Sequence, residues 1–345
     1  MTDSATGLLD ELDLSLVNAL QTAPRASWAR VGRAIEVSPV TAARRWERLR
    51  AQGLVWVTAY GGAFVNHHHC VAIVDVNCEP GRIPAISAAL AEQPQIASIE
   101  YTAGHHDLSL NVMVDSPADL SRLHTEVLGR LPGVRATHSR IVTRFFTEGS
   151  RWDIRAISRD QREAVRSGAP PAVGDVDPAP AEADRELLLA LGADGRAGYG
   201  ELARRTGMSE STVRRRVAWM VRTGAALPRC EVAHTYSPYP VFATFHANVP
   251  SDALTRVGPA LAALPEVRMC AATTSNHNLV INVWVRSTPD VLRLESYIAE
   301  RFPEIAVADR SLTLGNPKRM GWILDEAGRA VRHVPIDLWR RPGAG

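Results

Sequence analysis

The stretch Ser38-Pro39-Val40-Thr41-Ala42-Ala43-Arg44-Arg45-Trp46-Glu47-Arg48-Leu49-Arg50-Ala51-Gln52-Gly53 decides the reading of this chain. It predicts a helix that opens on a serine cap, carries proline in its first turn and stops at a glycine. On a 3.6-residue period Ala42, Trp46 and Leu49 form one apolar stripe, Arg44 and Arg48 point the opposite way, and Arg45 lies on the flank. A helix of that kind suits an element that docks on a core and enters a DNA groove. The same pattern returns at an offset of 171 residues, from Ser209 through Ser211-Thr212-Val213-Arg214-Arg215-Arg216 to Gly224, with Val213, Val217 and Met220 as the stripe. There Trp219 falls on the nominally open face, where Arg48 stands in the first copy.

Working outward, Leu8 to Leu20 has apolar residues at helical spacing, and Ser27 to Ile35 forms a second helix behind a serine cap. Glu36-Val37 makes the turn. Helix, helix, short turn and capped helix is the order of a helix-turn-helix, and the β-branched, aromatic run Leu54 to Tyr60 is a strand leaving it. Strands are then expected at Cys70 to Val76, Ile96 to Thr102, Leu108 to Val114 and Val134 to Phe146, with helices at Gly81 to Glu92 and Pro117 to Leu131. The order βαββαβ describes a ferredoxin-like domain, an antiparallel sheet with both helices on one face.

The whole unit repeats without gaps. Asp13 matches Asp184, Leu20 matches Leu191, Arg25 matches Arg196, Pro94 matches Pro265, His106 matches His277 and Asn111 matches Asn282. A register held that long is the mark of tandem duplication. The fold class is therefore α+β: a helix-turn-helix, of the winged type by the family resemblance given below, followed by a βαββαβ ferredoxin-like domain, the whole repeated twice. The expected domains are helix-turn-helix 8–62, ferredoxin-like 66–150, a Pro-, Ala- and acid-rich linker 151–181, helix-turn-helix 182–234, ferredoxin-like 238–324 and a C-terminal tail 325–345.

Composition bounds the function. A chain of 345 residues that is 46% hydrophobic and 22% charged is an ordinary globular protein of several domains. It contains no apolar run long enough to span a membrane, and residues 1–13 lack a signal peptide's basic start and apolar centre, so the expected location is cytoplasmic. The four cysteines form no C-x-x-C pair, and neither a metal nor a cofactor is expected. Lys318 is the only lysine, so arginine abundance alone is no sign of nucleic acid. Local balance is more telling. Seven arginines against two glutamates between Arg25 and Arg50, and again between Arg196 and Arg222, leave two islands of +5 in a chain of net charge +2. Paired islands are the footprint expected of phosphate contacts.

Each half resembles the Lrp/AsnC (feast/famine) family of transcription regulators. The resemblance rests on Asp13 to Leu20, Ser38-Pro39-Val40-Thr41 through Arg44-Arg45, Gly53-Leu54-Val55, their counterparts in the second half, and the turn Thr102-Ala103-Gly104-His105-His106-Asp107. It implies a sequence-specific DNA-binding regulator responsive to a small effector such as an amino acid, with ferredoxin-like domains that pair through their sheets, so that double-stranded DNA and further copies of the chain are its expected partners. The implied DNA contacts are Ser38, Thr41, Arg44, Arg45 and Arg48, and Ser209, Ser211, Thr212, Arg214, Arg215 and Arg216. The implied effector contacts are Thr102, Gly104, His106 and Asp107; Ser275 and Asn278 stand where Gly104 and Asp107 do.

His67-His68-His69 does not converge on a metal if it lies on a strand, because neighbouring side chains alternate in direction. No nucleophile motif of the G-x-S-x-G kind occurs, no catalytic residue is expected, and the chain is read as a protein that is not an enzyme. The alternative is a siroheme-decarboxylase-like tetrapyrrole enzyme on the same fold, since those enzymes resemble this family and also occur as fused pairs; His105, His106 and His277 are its foothold.

Overall fold

The computed structural model describes residues 9–62, 69–167 and 182–343. The first helix-turn-helix consists of α1 (Glu11–Thr22), α2 (Trp28–Ala34) and α3 (Pro39–Ala51), followed by strand β1 (Val55–Gly61). Each helix starts at a side-chain cap. Asp10 Oδ1 accepts the Asp13 amide at 2.7 Å, Ser27 Oγ accepts that of Arg30 at 3.4 Å, and Ser38 Oγ accepts that of Thr41 at 3.0 Å. Gly53 ends the third helix with φ of 68°, and a Cβ there would run into the Ala330 carbonyl. Leu16, Leu20, Val31, Ala42, Trp46 and Leu49 close the core of this domain.

The first ferredoxin-like domain follows: β2 (Cys70–Cys78), α4 (Ile83–Ala91), β3 (Ile96–Ala103), β4 (Leu108–Val114), α5 (Pro117–Arg122, continuing through a π-turn at Leu123–Val127 and a 3-10 turn at Leu128–Arg130) and β5 (Val134–Thr147). The expected linker begins later than its composition implies. Trp152, Ile154, Ile157 and Val165 are buried in the core of the first helix-turn-helix, the last of them on a short capped helix, α6 (Arg159–Arg166). Buried aliphatic and aromatic area holds residues 151–167 in place; the proline-rich remainder, like His67 and His68, lies outside the described residues.

The second half repeats the order: α7 (Glu182–Ala193), α8 (Tyr199–Thr206), α9 (Glu210–Thr223), β6 (Ala226–Val232), β7 (Val241–Asn248), α10 (Ser251–Ala262), β8 (Val267–Thr273), β9 (Leu279–Val285), α11 (Thr288–Arg301) and β10 (Ala306–Arg319). The tail adds β11 (Trp322–Leu324) and β12 (Ala330–His333) beside β10, and buries Leu338.

The two four-stranded sheets, ordered β5-β2-β4-β3 and β10-β7-β9-β8, join at both edges: β3 pairs with β10 and β5 with β8. The result is a closed ring of eight strands with the helices outside. Both junctions keep the same register, since Thr102 opposite Thr313 and Thr273 opposite Val142 are related by the 171-residue offset. The strands leaving the two helix-turn-helix motifs pair antiparallel with each other, and the ladder centres on the equivalent positions Thr58 and Arg229. A pseudo-twofold axis therefore passes between them. The pairing through sheets that the family resemblance implies is made within one chain, and it removes the open edges that invite association.

The helix-turn-helix domains touch across the same axis. Arg196 donates to the Pro24 and Ala26 carbonyls at 2.5 and 2.9 Å and stacks 4.0 Å above the Trp28 ring. Its equivalent, Arg25, donates to the carbonyls of Gly195 and Ala197. A hydrogen bond from a charged donor is worth about 1.5–3 kcal/mol. Replacing Arg196 by alanine is expected to lower the unfolding free energy of the helix-turn-helix pair by about 3 kcal/mol, and lysine to recover little because two carbonyls need the forked guanidinium. Urea unfolding followed by tryptophan fluorescence measures both.

Candidate DNA interface and buried polar centre

Helices α3 and α9 present their open faces to solvent, with Val40, Thr41, Arg44 and Arg48 exposed on one, and Ser211, Arg214, Arg215 and Ala218 on the other. The arginines divide into two kinds. Arg45 bonds Asp10 and Asp13 at 2.5 and 2.8 Å, and Arg48 bonds Asp13 at 2.7 Å; Asp13 itself is buried. Arg216 makes the equivalent pair with buried Asp184. Removing one partner of a buried ion pair costs about 3–5 kcal/mol, whereas an exposed pair such as Arg214–Glu210 contributes about 0–1. Arg45 and Arg216 are thus fixed by the fold, and with Arg25 and Arg196 they account for part of each basic island. The equivalent residues Arg44 and Arg215 have no ion-pair partner among the described residues. Trp219 packs, partly buried, against the second helix-turn-helix core. The cap hydroxyls of Ser38 and Ser209 lie 2.8 and 2.9 Å from those of Thr41 and Thr212.

The turn expected to hold an effector is closed on itself. Asp107 Oδ2 accepts the Cys78 amide at 2.7 Å, the Thr102 hydroxyl bonds the His106 carbonyl, and the His106 ring lies between Asn77 and Asp75. Asn278 repeats the role of Asp107, accepting the Val249 amide at 3.0 Å and donating to its carbonyl at 2.8 Å. The change from aspartate to asparagine between the halves therefore keeps a structural bond. Gly104 does not take a left-handed φ; its service is close approach, because a Cβ would stand 2.8 Å from that of Ser311. Ser275, its counterpart, takes φ of 147°. His69 faces Asp115, His105 faces Asp309, and no three His, Cys, Asp or Glu among the described residues are placed to share a metal ion.

Inside the ring a polar centre emerges that pattern reading does not reveal. The strands alternate, so while Val74, Leu110 and Val112 face the helices, Asp75, Glu100 and Asn111 face inward. Near the axis Glu231, fully buried, accepts two bonds from Arg268 at 2.8 and 2.9 Å and pairs with Arg229. The Arg268 and Arg319 guanidinium groups sit 3.8 and 5.0 Å from the centre of the Trp284 ring. Glu148 binds the Tyr60 hydroxyl and the Ser150 amide. A cavity of about 110 Å³ opens among these groups. Burial holds the Glu231 environment together through opposite charges: desolvation works against its carboxylate, and the neighbouring arginines outweigh that and lower its pKa. Glu100 goes the other way. Burial pushes its carboxyl up to about 7, against the opposing pull of Arg319.

The centre is not duplicated. Tyr60 corresponds to Glu231, Thr58 to Arg229, Met113 to Trp284, and Glu148 to Arg319. Only a comparison of equivalent positions for changes of charge could have pointed to it. Because folded Glu100 keeps its proton to higher pH than the unfolded chain, its stabilising contribution is complete below about 4.5 and disappears as pH rises to about 7. Glu100→Gln is expected to remove that fall, so that the wild type loses on the order of 3 kcal/mol relative to the variant across this window. Denaturation midpoints of both proteins from pH 4 to pH 8 check the sign.

Comparison with known proteins places the architecture. Residues 9–50 and 182–220 match the AsnC-type helix-turn-helix domain, and residues 71–152 match the Lrp/AsnC ligand binding domain. An uncharacterized HTH-type transcriptional regulator of Pyrococcus abyssi is 28% identical over 136 residues, 39% of this chain and 86% of that protein. The leucine-responsive regulatory protein of Salmonella typhimurium is 28% identical over 141 residues, 39% of this chain and 84% of its own length. Over the whole chain the fold is similar to that of the siroheme decarboxylase NirDL, solved with an iron-uroporphyrin III analogue, at a TM-score of 0.58 and 12% identity, covering 95% of this chain and 96% of that one. This corrects the expectation of a protein that is not an enzyme: a solved chain whose fold is similar over 95% of this one is an enzyme's. Both helix-turn-helix segments match the AsnC-type model, the first ferredoxin-like domain matches the Lrp/AsnC ligand binding domain, and the second ferredoxin-like domain repeats the strand order, so the chain carries the Lrp/AsnC architecture as a tandem duplication within one polypeptide.

Proposed function

We propose that the chain is a DNA-binding transcription regulator whose two recognition helices, α3 and α9, are held in fixed relation by one covalent scaffold. The observation that supports this most is the pair Arg44 and Arg215: equivalent, exposed and without ion-pair partners among the described residues, while their neighbours Arg45 and Arg216 are bound to buried aspartates. Guanidinium groups so placed grip phosphates or pair with guanine in the major groove. Val40 and Arg48 on one helix are replaced by Ser211 and Trp219 on the other, so the two half-sites differ and the preferred operator is not a palindrome.

A small effector is part of this reading. The polar groups of the turn around Gly104 and Asp107 are engaged within the turn, which favours the buried cavity as the place for a ligand. Association of further copies would use surfaces other than the sheet edges that β3, β5, β8 and β10 close within the chain. Among the described residues no helix is long and apolar enough to cross a membrane.

Binding to the DNA upstream of its own gene, measured by fluorescence anisotropy over a salt series, tests the proposal. Affinity is expected to fall steeply with salt, and the Arg44→Ala/Arg215→Ala double variant to bind weakly with a salt slope reduced by about two. Absence of binding at low salt would sink the regulator reading. A second reading, catalysis on a tetrapyrrole, is favoured by the likeness to NirDL over the whole chain. Drug-sized ligands occupy about 300–1,000 Å³, so a tetrapyrrole in the 110 Å³ cavity requires the ring to open. Titration with iron-uroporphyrin III, followed in the Soret band, decides it: a saturable spectral shift supports catalysis, and an unchanged spectrum removes it.

A further inference from the structure

The chain fills one surface groove with its own C-terminal segment and leaves the equivalent groove of the other half open. In the first half, residues 337–343 run past the start of β3 and the π-turn of α5. The Asp337 amide donates to the Pro94 carbonyl at 3.1 Å, Gln95 Nε2 donates to the Arg340 carbonyl at 2.5 Å, and a Cβ on Gly343 would stand 2.5 Å from the Glu126 carboxylate. Arg340 and Arg341 line this groove together with Glu92, Glu126 and Arg130. In the second half, a groove of about 450 Å³ lies between the start of β8 and α11. Leu264, Pro265, Glu266 and Tyr297 line it at the positions of Gln93, Pro94, Gln95 and Glu126, so the two grooves are counterparts. Trp152 closes its inner end, donating from Nε1 to the Pro265 carbonyl at 2.9 Å, as the Asp337 amide does to Pro94. The outer part is uncovered by any described residue: Tyr297 is 47% exposed and the Arg293 side chain 74%.

The lining has changed in a definite direction. The pair Asp119–Arg122 is kept as Asp290–Arg293, both at 2.6 Å, but Asp115 and Glu126 become Arg286 and Tyr297. Arg286 is exposed, lies over the Tyr239 ring at 5.5 Å from its centre, and meets no carboxylate at ion-pair distance among the described residues. Glu266 replaces Gln95, the residue that touches the bound main chain, and there offers an acceptor to a main-chain N–H. Where the filled groove sets acids beside two arginines of the tail, the open one sets an unpaired cation beside an exposed aromatic ring. We propose that the open groove is a docking site for a short peptide of a partner protein that carries acidic side chains beside an aromatic one, a carboxylate on Arg286 and the ring on Tyr297 and Leu264. A charge-assisted bond and the covering of an exposed ring supply its recognition. No part of the recognition helices takes part, so this docking site stands or falls apart from DNA binding.

Fluorescence anisotropy with the full chain uses two labelled heptapeptides: residues 337–343 as they stand, and the same peptide with Arg340→Glu and Arg341→Glu. The acidic peptide is expected to bind with one site per chain, and the unaltered one about tenfold more weakly. Arg286→Asp/Tyr297→Glu restores the residues of the first half at two exposed positions. With folding confirmed by circular dichroism, it is expected to weaken the acidic peptide about tenfold or more, while Arg44→Ala/Arg215→Ala leaves binding unchanged. The proposal is overturned if the acidic peptide does not bind at millimolar concentration, if Arg286→Asp/Tyr297→Glu binds it as wild type does, or if Arg44→Ala/Arg215→Ala abolishes binding. It is also overturned if sedimentation shows that wild type self-associates and Arg286→Asp/Tyr297→Glu does not, since the occupant is then a second copy of the chain.

Discussion

Everything in this protein depends on how two four-stranded sheets dispose of their edges. A ferredoxin-like sheet has helices on one face and leaves its other face and both edges to be covered. Here each edge strand finds the edge of the other half, β3 against β10 and β5 against β8. That closure fixes the remaining geometry. It turns the uncovered faces inward, sets the pseudo-twofold axis, and brings β1 alongside β6 so that the two helix-turn-helix domains meet. The inner faces then become the interior of a small ring, where inward-pointing polar residues must find partners or ligands.

At the outer end, the same axis explains why some of the arginines in the basic islands are unavailable to DNA. Arg25 and Arg196 join the helix-turn-helix domains through main-chain carbonyls; Arg45 and Arg216 tie each recognition helix to the first helix of its own domain. What remains exposed is narrower and better defined than a basic patch. Net local charge overstated the surface because guanidinium groups serve packing as readily as phosphate binding.

Most of the architecture was legible from residues. The serine caps at 38 and 209, the apolar stripes and the constant register located every helix-turn-helix element, and apolar and β-branched runs located the strands of the ferredoxin-like domains, though not β11 and β12 of the tail. Residues 151–167 were harder, since Trp152, Ile154 and Ile157 sit in a charged, irregular stretch whose packing partner, the first helix-turn-helix, is distant in sequence. The polar centre was invisible for a related reason. Glu100, Arg229, Arg268 and Arg319 lie on four different strands, and only ring closure assembles them. The turn at Gly104 to Asp107 is a case of a different kind. Its composition resembles a ligand loop, yet its hydrogen bonds are satisfied locally, as those of turn aspartates commonly are.

The pairing of Thr58 with Arg229 has an evolutionary consequence. In a homodimer built from one such unit, a residue on the symmetry axis faces its own copy. Arginine there would oppose arginine in a buried site, and at close range like charges repel by about 4 kcal/mol even at an effective dielectric constant of 20. Fusion frees the two positions to change separately, so threonine in one half makes room for the charge in the other. Once Arg229, Arg268 and Arg319 had accumulated in the second half, that half could no longer pair with a copy of itself without bringing arginines together. The linker between the halves can vary, but the dependence of the second half on the first is now written into the core.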